Sequence, residues 1–395
     1  MKKTHIITQI VLVSWALSSC NSERTNASKE SLNSSGTIEK ADLHFSKILS
    51  FPLDSVTSNQ SEYIQYFEDG DQQLLGCLNN YANSIAIFDI EQQKQVNTLA
   101  IPKEFLLKEN ISRFLGFHFY DLDKAIVIPK MRTKILKVNF RKNDYQVLDY
   151  KLKALKAGKD KSVPFPRVNY SNPVLLKDSS IYMTVHPEGN WNAIKDITTS
   201  PVCYQIDLNE KEVPHFLPLK YPRNYFEDGP TEPYFSQCMN DDQEFVYSFF
   251  ADDNIYITDK SHTQWRKINA PSELRGEFLK NTMNPTMDDY LKFNIETSAY
   301  LWITYDKYRK CYYRLVATGS EYDADSDLMQ QVNYPDLSLM VLNANLEVVN
   351  ETLLDQKYNY KNYFINPDGL YLSLSNPANE LYEEDMLRFQ LIELN

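Results

Sequence analysis

Glycine is scarce in this chain: ten residues in 395, with the closest pair, Gly70 and Gly76, six positions apart. That spacing leaves no place for GxGxxG, for a phosphate-binding P-loop or for the GxSxG nucleophile elbow. Histidine is equally sparse. Its six copies are never closer than the 29 positions between His186 and His215, and no CxxC occurs, which removes HExxH and zinc-ribbon sites. No nucleotide, metal or other cofactor is therefore expected. Positive charge is also short, 41 Lys and Arg against 53 Asp and Glu, for a net charge of −12. Such a balance speaks against nucleic acid as a partner, because that affinity comes from neutralised phosphates. It likewise disfavours electrostatic adhesion to anionic lipid. What remains is a chain with 43% hydrophobic residues, able to bury a large core.

The longest apolar run is the first. Lys2 and Lys3 precede Ile6 to Leu17, broken only by Thr8, Gln9 and Ser14, and Leu17-Ser18-Ser19-Cys20 follows. The run is too short to cross about 30 Å of hydrocarbon as a helix. It reads as a secretory signal ending in a lipobox. Three parts are expected: a lipoprotein signal peptide over 1–19, a lipidated Cys20 with a flexible tether over 20–41, and a single β-propeller domain over 42–395. By resemblance to bacterial lipoproteins, Cys20 carries a diacylglyceryl group and an N-acyl chain. Several chains at about 0.8 kcal/mol per buried CH₂ give a lasting hold on a membrane. Asn21 is not the Asp that retains such proteins at the inner membrane, so the expected address is the outer membrane, at its periplasmic face or the cell surface. Cys77, Cys203, Cys238 and Cys311 remain, each in or beside a strand-like run, where a thiol is a small hydrophobe. They are expected as buried free thiols.

Beyond the tether a two-strand unit recurs. Its copies are Ser84-IAIFDI with Gln95-VNTLAI, Lys134-ILKVNF with Tyr145-QVLDYKL, Val202-CYQIDL with Val213-PHFLPL, Asn254-IYITD with Trp265-RKI, and Leu337-SLMVLN with Leu346-EVVNETLL. A further strand-like run lies upstream of most copies, as in Gln73-LLGCL and Lys124-AIVIPK. Equivalent polar positions fall at Asp89, Asn139, Asp207, Asp259 and Asn343. Repeated antiparallel sheets of this length point to a propeller. Apolar residues on both alternating faces (Ile85 and Ile87 against Ala86 and Phe88) suit a blade held between two neighbours. A sixth unit is split across the termini, His44-FSKILSFPL at one end and Met386-LRFQLIEL at the other. Pairing them would close an all-β, six-bladed ring and remove its open edges. Seven blades is the alternative, and a pair of β-sandwiches a more distant one.

The runs Tyr305-DKYRKCYYRL, Gln243-EFVYSFFADDNIYI, Tyr334-PDLSLMVLNANLEVV and Tyr363-FINPDGLYLSLSN resemble lipoproteins of the domain-of-unknown-function family 4221 of Bacteroidota. These are similar to TolB-like six-bladed propellers. The resemblance spans about residues 43 to 395 and implies the fold and a cell-envelope address, with no catalytic residue to carry over.

Loops on a rigid scaffold are the usual place for binding. The segment 221–235 brings five aromatics and Arg223 between two blades, and His186-Pro-Glu-Gly-Asn-Trp191 interrupts the third. The candidate ligand-binding residues are His186, Trp191, Arg223, Tyr225 and Tyr234, expected at one channel mouth, with Trp191, Arg223 and Tyr225 replaceable at little cost in stability. Asp323, Asp325 and Asp327 imitate a calcium loop but lack its sixth-position Gly and twelfth-position Glu, so a solvated loop is expected. Lys151, Lys153, Lys156, Lys159 and Lys161 read as a solvated connection that could attract an anionic glycan or headgroup. Arg314 is expected to serve backbone carbonyls. The functional expectation is a binding or scaffold module for an unknown envelope protein, peptide or glycan. The alternatives are a propeller hydrolase or lactonase with a metal in the central channel, and a subunit of an outer-membrane complex.

Overall fold

Branched and aromatic side chains suit a pleated surface, and the runs rich in Ile, Val, Phe and Tyr are the strands. The computed structural model describes residues 42–156, 163–185, 198–227, 231–282, 285–355 and 357–395. Cys20, the tether, His186 and Trp191 lie outside the described residues. Six antiparallel sheets follow in chain order. Blade 1 joins β2 (Ile64–Asp69), β3 (Gln72–Asn79), β4 (Ser84–Asp89) and β5 (Lys94–Ala100). Blade 2 joins β6 (Phe114–Asp121), β7 (Lys124–Pro129), β8 (Lys134–Asn139) and β9 (Asp144–Asp149). In blade 3, β10 (Pro166–Arg167) and β11 (Leu175–Lys177) both pair with β12 (Ser180–Val185), and β13 (Cys203–Asp207) and β14 (His215–Phe216) complete it. Blade 4 holds β15 (Phe235–Met239), β16 (Phe245–Phe249), β17 (Asn254–Thr258) and β18 (Trp265–Asn269). Blade 5 holds β19 (Ala299–Asp306), β20 (Cys311–Ala317), β21 (Leu337–Leu342) and β22 (Val348–Leu353).

Blade 6 is made from both ends of the chain. The strands β23 (Asn359–Ile365), β24 (Leu370–Ser373) and β25 (Met386–Leu394) are completed by β1 (Leu43–Pro52). Strands β1 and β25 run antiparallel, with Leu43 opposite Leu394, Leu49 opposite Phe389 and Phe51 opposite Leu387. The ring is therefore closed as the terminal pattern indicates, with six blades and not seven. Both faces of the middle strands are buried: Ile85 and Ile87 pack in the cluster that holds Phe117 and Ile126 of blade 2, while Ala86 and Phe88 pack with Phe51 and Phe389 of blade 6.

The recurring Asp and Asn positions have a common task. Each ends the third strand of its blade or directly follows it, and accepts backbone N–H groups from the turn that follows. Asp89 accepts from Gln92, Asn139 from Lys142, Asp207 from Lys211 and Glu212, Asp259 from Gln264, and Asn343 from Asn345 and Glu347. Three or four residues on, Gln93, Asn143, Glu210, His262 and Leu346 all adopt positive φ, between 49° and 64°. A side-chain acceptor that fixes the turn lets a residue other than glycine hold a left-handed conformation. This is how the chain builds so many tight turns with so little glycine.

Helices are few and short among the described residues. The lysine-rich connection after blade 2 is helical at its start, α2 (Tyr150–Lys156) following α1 (Lys103–Glu109), where the sequence suggested only a loop. Tyr150 and Ala154 bury one side of α2, which the lysine spacing hides. The 323–327 segment is a loop whose Asp327 caps a short helix by accepting from Gln330 N.

Cys77, Cys203, Cys238 and Cys311 are buried free thiols. Burial pushes Cys203 and Cys311 up to about 12, and the hydroxyls of Tyr63 and Tyr300 likewise to about 12. His262 is 1% exposed and burial drives it down to about 4. The signs set a pH profile. Below about 6.5 the unfolded chain takes up a proton that folded His262 refuses, so this stability is complete above pH 6.5 and is lost as pH falls towards 4. Above about 8.5 to 10 the unfolded thiols and phenols ionise first, so their contribution is complete below that range and is lost as pH rises towards 12. Melting temperature should thus plateau between pH 6.5 and 8.5. In His262→Asn, a residue that tolerates the left-handed backbone, circular-dichroism melts should show a shallower acid limb; an unchanged limb would assign it to other groups.

Candidate functional site

Two cavities lie at the ends of the ring axis and one lies on the flank. The first axial cavity, of about 530 Å³, is lined by Leu115 of β6, Arg167 of β10, Tyr234 just before β15, Ala299 of β19, and Tyr360 and Lys361 of β23. Side chains from the innermost strands of five blades meet only on the axis, so this is a mouth of the central channel. Two helices, α3 (Met287–Glu296) and α4 (Leu328–Asn333), stand at its rim through Asn294 and Asn333. Helix α3 starts with a capping box in which Thr286 and Asp289 satisfy each other's backbone N–H groups.

The mouth is basic. The Arg167 guanidinium lies 4.5 Å over the Tyr234 ring, and Lys361 Nζ donates to Asn333 Oδ1 at 3.1 Å. Among the described residues, no Asp or Glu lines the cavity. Burial pushes both cations below their ordinary pKa. At the other end, a cavity of about 280 Å³ is lined with tyrosine, including Tyr63, Tyr66, Tyr308 and Tyr363. Tyr66 and Tyr308 both donate to Glu68 Oε1, at 2.7 and 3.0 Å, and hold that carboxyl below the usual range. Tyr170 and Lys361 line both cavities, and Tyr363 donates to Tyr170 O at 3.0 Å, so the passage between them is narrowed by phenol rings.

The flank cleft is larger, about 1160 Å³, and runs between the loop 218–225 and the outer strands of blade 4. Arg223, Lys220, Lys267 and Lys280 stand around Tyr256 and Trp265, with Asp252 and Glu277 among the same lining. Trp265 is 57% exposed, with its ring 5.8 Å from that of Tyr256. No group of three His, Cys, Asp or Glu able to hold a metal ion occurs among the described residues.

The segment 221–235 is therefore divided between two places. Arg223 and Tyr225 line the flank cleft, Arg223 exposed to solvent, while Tyr234 lines the axial mouth. Tyr225 differs from expectation in one respect. It is 5% exposed, packs on Tyr221, Phe226 and Phe249, donates to Glu232 O and accepts from Ala251 N, so its loss would cost stability. Sequence reasoning missed Arg167, Lys361 and Trp265 as site residues. Arg167 and Lys361 are 194 positions apart and join no linear motif. The legible signal for Trp265 was its place in an outer strand, where an aromatic has no neighbouring blade to cover it.

Residues 41–353 match the family model described as domain of unknown function (DUF4221). A DUF4221 protein from Bacteroides vulgatus, known from its crystal structure, superposes with a TM-score of 0.73 at 23% identity, covering 90% of this chain and 99% of its own. That likeness is one of fold. A Bacteroides fragilis protein gives 0.48 at 9% identity, over 91% of this chain and 96% of its own. Streptogramin B lyase gives 0.41 at 12%, over 90% and 98%. Neither of these two bears on function. No curated protein matches the sequence.

Proposed function

The chain belongs to the DUF4221 family, and from that premise we propose that it is an exported, lipid-anchored propeller that binds a planar, sugar-like or peptide ligand of the cell envelope through the flank cleft. The observation that carries the binding is the exposed Trp265 ring set among Arg223, Lys220 and Lys267. An exposed indole beside a guanidinium suits a flat ligand by stacking and hydrogen bonding, and aromatic and Arg anchors carry most of the energy of such sites. The anchor rests on Lys2, Lys3, the apolar run Ile6 to Leu17 and Cys20. No helix among the described residues is long and apolar enough to cross a membrane.

Two measurements test this reading. Cys20→Ala should abolish incorporation of labelled fatty acid and release the protein from membranes; labelling that persists would end the lipoprotein reading, and fractionation with the inner membrane would end the outer-membrane one. For the cleft, envelope oligosaccharides and peptides are titrated against Trp265 emission, with Trp265→Phe as the blank. Arg223→Ala should weaken binding at least tenfold with the melting temperature within a few degrees, since an exposed change costs less than about 0.5 kcal/mol. Tyr225→Ala should instead lower the melting temperature, because truncating a buried aromatic costs about 3–5 kcal/mol. A panel in which nothing perturbs Trp265, or an Arg223→Ala protein that binds like the parent, would overturn the assignment.

A further inference from the structure

Among the described residues two arginines are almost wholly buried, and they are treated very differently. Arg314, 0% exposed, donates to Ser248 Oγ and to the carbonyls of Asp252, Asp253 and Ala270 at 2.8–3.2 Å, and lies over the Tyr300 ring. Its fork is filled by protein. Arg167, 8% exposed, makes one side-chain hydrogen bond among the described residues, from Nη1 to Pro233 O at 3.4 Å. Among the described residues it forms no ion pair, although the charge of Glu232 acts on it. A guanidinium has five N–H donors, and a buried cation left without acceptors is costly. Those unused donors border the axial cavity.

The surroundings point the same way. Lys361, half-buried at the same mouth, donates to the neutral Asn333 and, among the described residues, pairs with no acid. In a chain of net charge −12, the described residues line this cavity with two cations and no carboxylate. Tyr234 and Tyr360 add aromatic rings, and Asn294 an amide. A volume of about 530 Å³ is that of a small-molecule site. Low-dielectric walls strengthen the attraction of such a site for an opposite charge.

We propose that this mouth of the channel binds a small organic anion, a carboxylate or phosphate carried on a sugar-sized body, with Arg167 and Lys361 holding the charge and Tyr234 and Tyr360 flanking the body. The site is separate from the flank cleft, and its failure would leave the cleft reading intact. An Arg fork matches either oxyanion in two-point fashion, so the two headgroups share one chemistry.

The test uses the folded chain from residue 42 onward together with the membrane-anchored full chain, and three probes of one size: glucuronate, glucose 6-phosphate and neutral glucose. At matched ionic strength, at least one anion should bind ten times tighter than glucose by calorimetry and raise the melting temperature. Glucuronate binding alone identifies a sugar acid; glucose 6-phosphate binding alone identifies a phosphorylated ligand. Arg167→Gln and Lys361→Gln should each lose at least tenfold in that affinity, with Arg167→Lys retaining part of it. In probe-free buffer Lys361→Gln should melt within a few degrees of the parent, since it removes a half-buried cation that has no acid to pair with. Equal binding of glucose and both anions, binding of none of them, or anion binding that survives both Gln variants would overturn the proposal.

Discussion

Deleting residues 42–54 should unfold the ring, whereas deleting residues 21–38 should leave its melting temperature unchanged. Strand β1 is the outer strand of blade 6, so its loss strips the partner from β25 along eight paired positions from Leu43–Leu394 to Pro52–Met386. It also removes Leu49 and Phe51, which are 4% and 0% exposed and pack on Phe88 and Phe389. Emptying a buried Leu site costs about 2–5 kcal/mol and a buried Phe site about 3–5. Together these rival the whole net stability of an ordinary domain, about 5–15 kcal/mol. The exposed edge would in addition invite association with other chains. Circular-dichroism melts and size-exclusion profiles of the two truncations decide the matter; equal melting temperatures would show that the ring does not depend on closure through its ends.

Arg314→Ala should be nearly as damaging as a core truncation, and Arg314→Lys should not rescue it. The side chain stacks on Tyr300 of its own blade and reaches into blade 4, where it serves Ser248 and the carbonyls of Asp252, Asp253 and Ala270. Removing it strands those acceptors in a dry interface, and each unsatisfied buried group costs about 1–3 kcal/mol. A loss of at least about 3 kcal/mol is expected, read as a drop of roughly 4 °C or more in the melting temperature of a ring this long. Lysine offers a point charge where a planar fork is required, so it can reach one acceptor or two and leaves the others. Burial lowers Arg314 to about 10, while Tyr300, Asp253 and Asp252 favour its charged form. An Arg314→Lys protein that melts like the parent would mean that charge alone suffices.

How far the sequence reached can be traced strand by strand. The second and third strands of each blade were readable because they are squeezed between neighbouring blades and must be apolar on both faces, as in Ser84–Asp89 and Leu337–Leu342. The Asp and Asn that end the third strands were readable as a repeat before their purpose was known. The innermost strands were less so. Residues such as Lys361 and Tyr363 line a cavity on the axis, so they follow neither the buried nor the solvated pattern. Helix α3 was missed although Thr286 and Asp289 spell its capping box, because the strand repeat dominated its surroundings.

The alternation at Tyr312, Tyr313 and Arg314 shows the boundary between the two kinds of information. Strand geometry alone requires that Tyr312 and Arg314 face one way and Tyr313 the other. Which neighbour each meets is decided by the ring: Tyr312 packs with Cys238 and Ile255 of blade 4, and Tyr313 with Trp302, Leu339 and Tyr360 on the side of blade 6. By itself the sequence determined the all-β repeat, the count of blades and the closure through the termini, since each of these follows from local periodicity or from a split copy of a local unit. Only the tertiary structure decided where the charges meet. Arg167 and Lys361 come together because rolling six sheets around an axis brings the starts of their innermost strands to one opening, and no pattern along the chain encodes a distance across it.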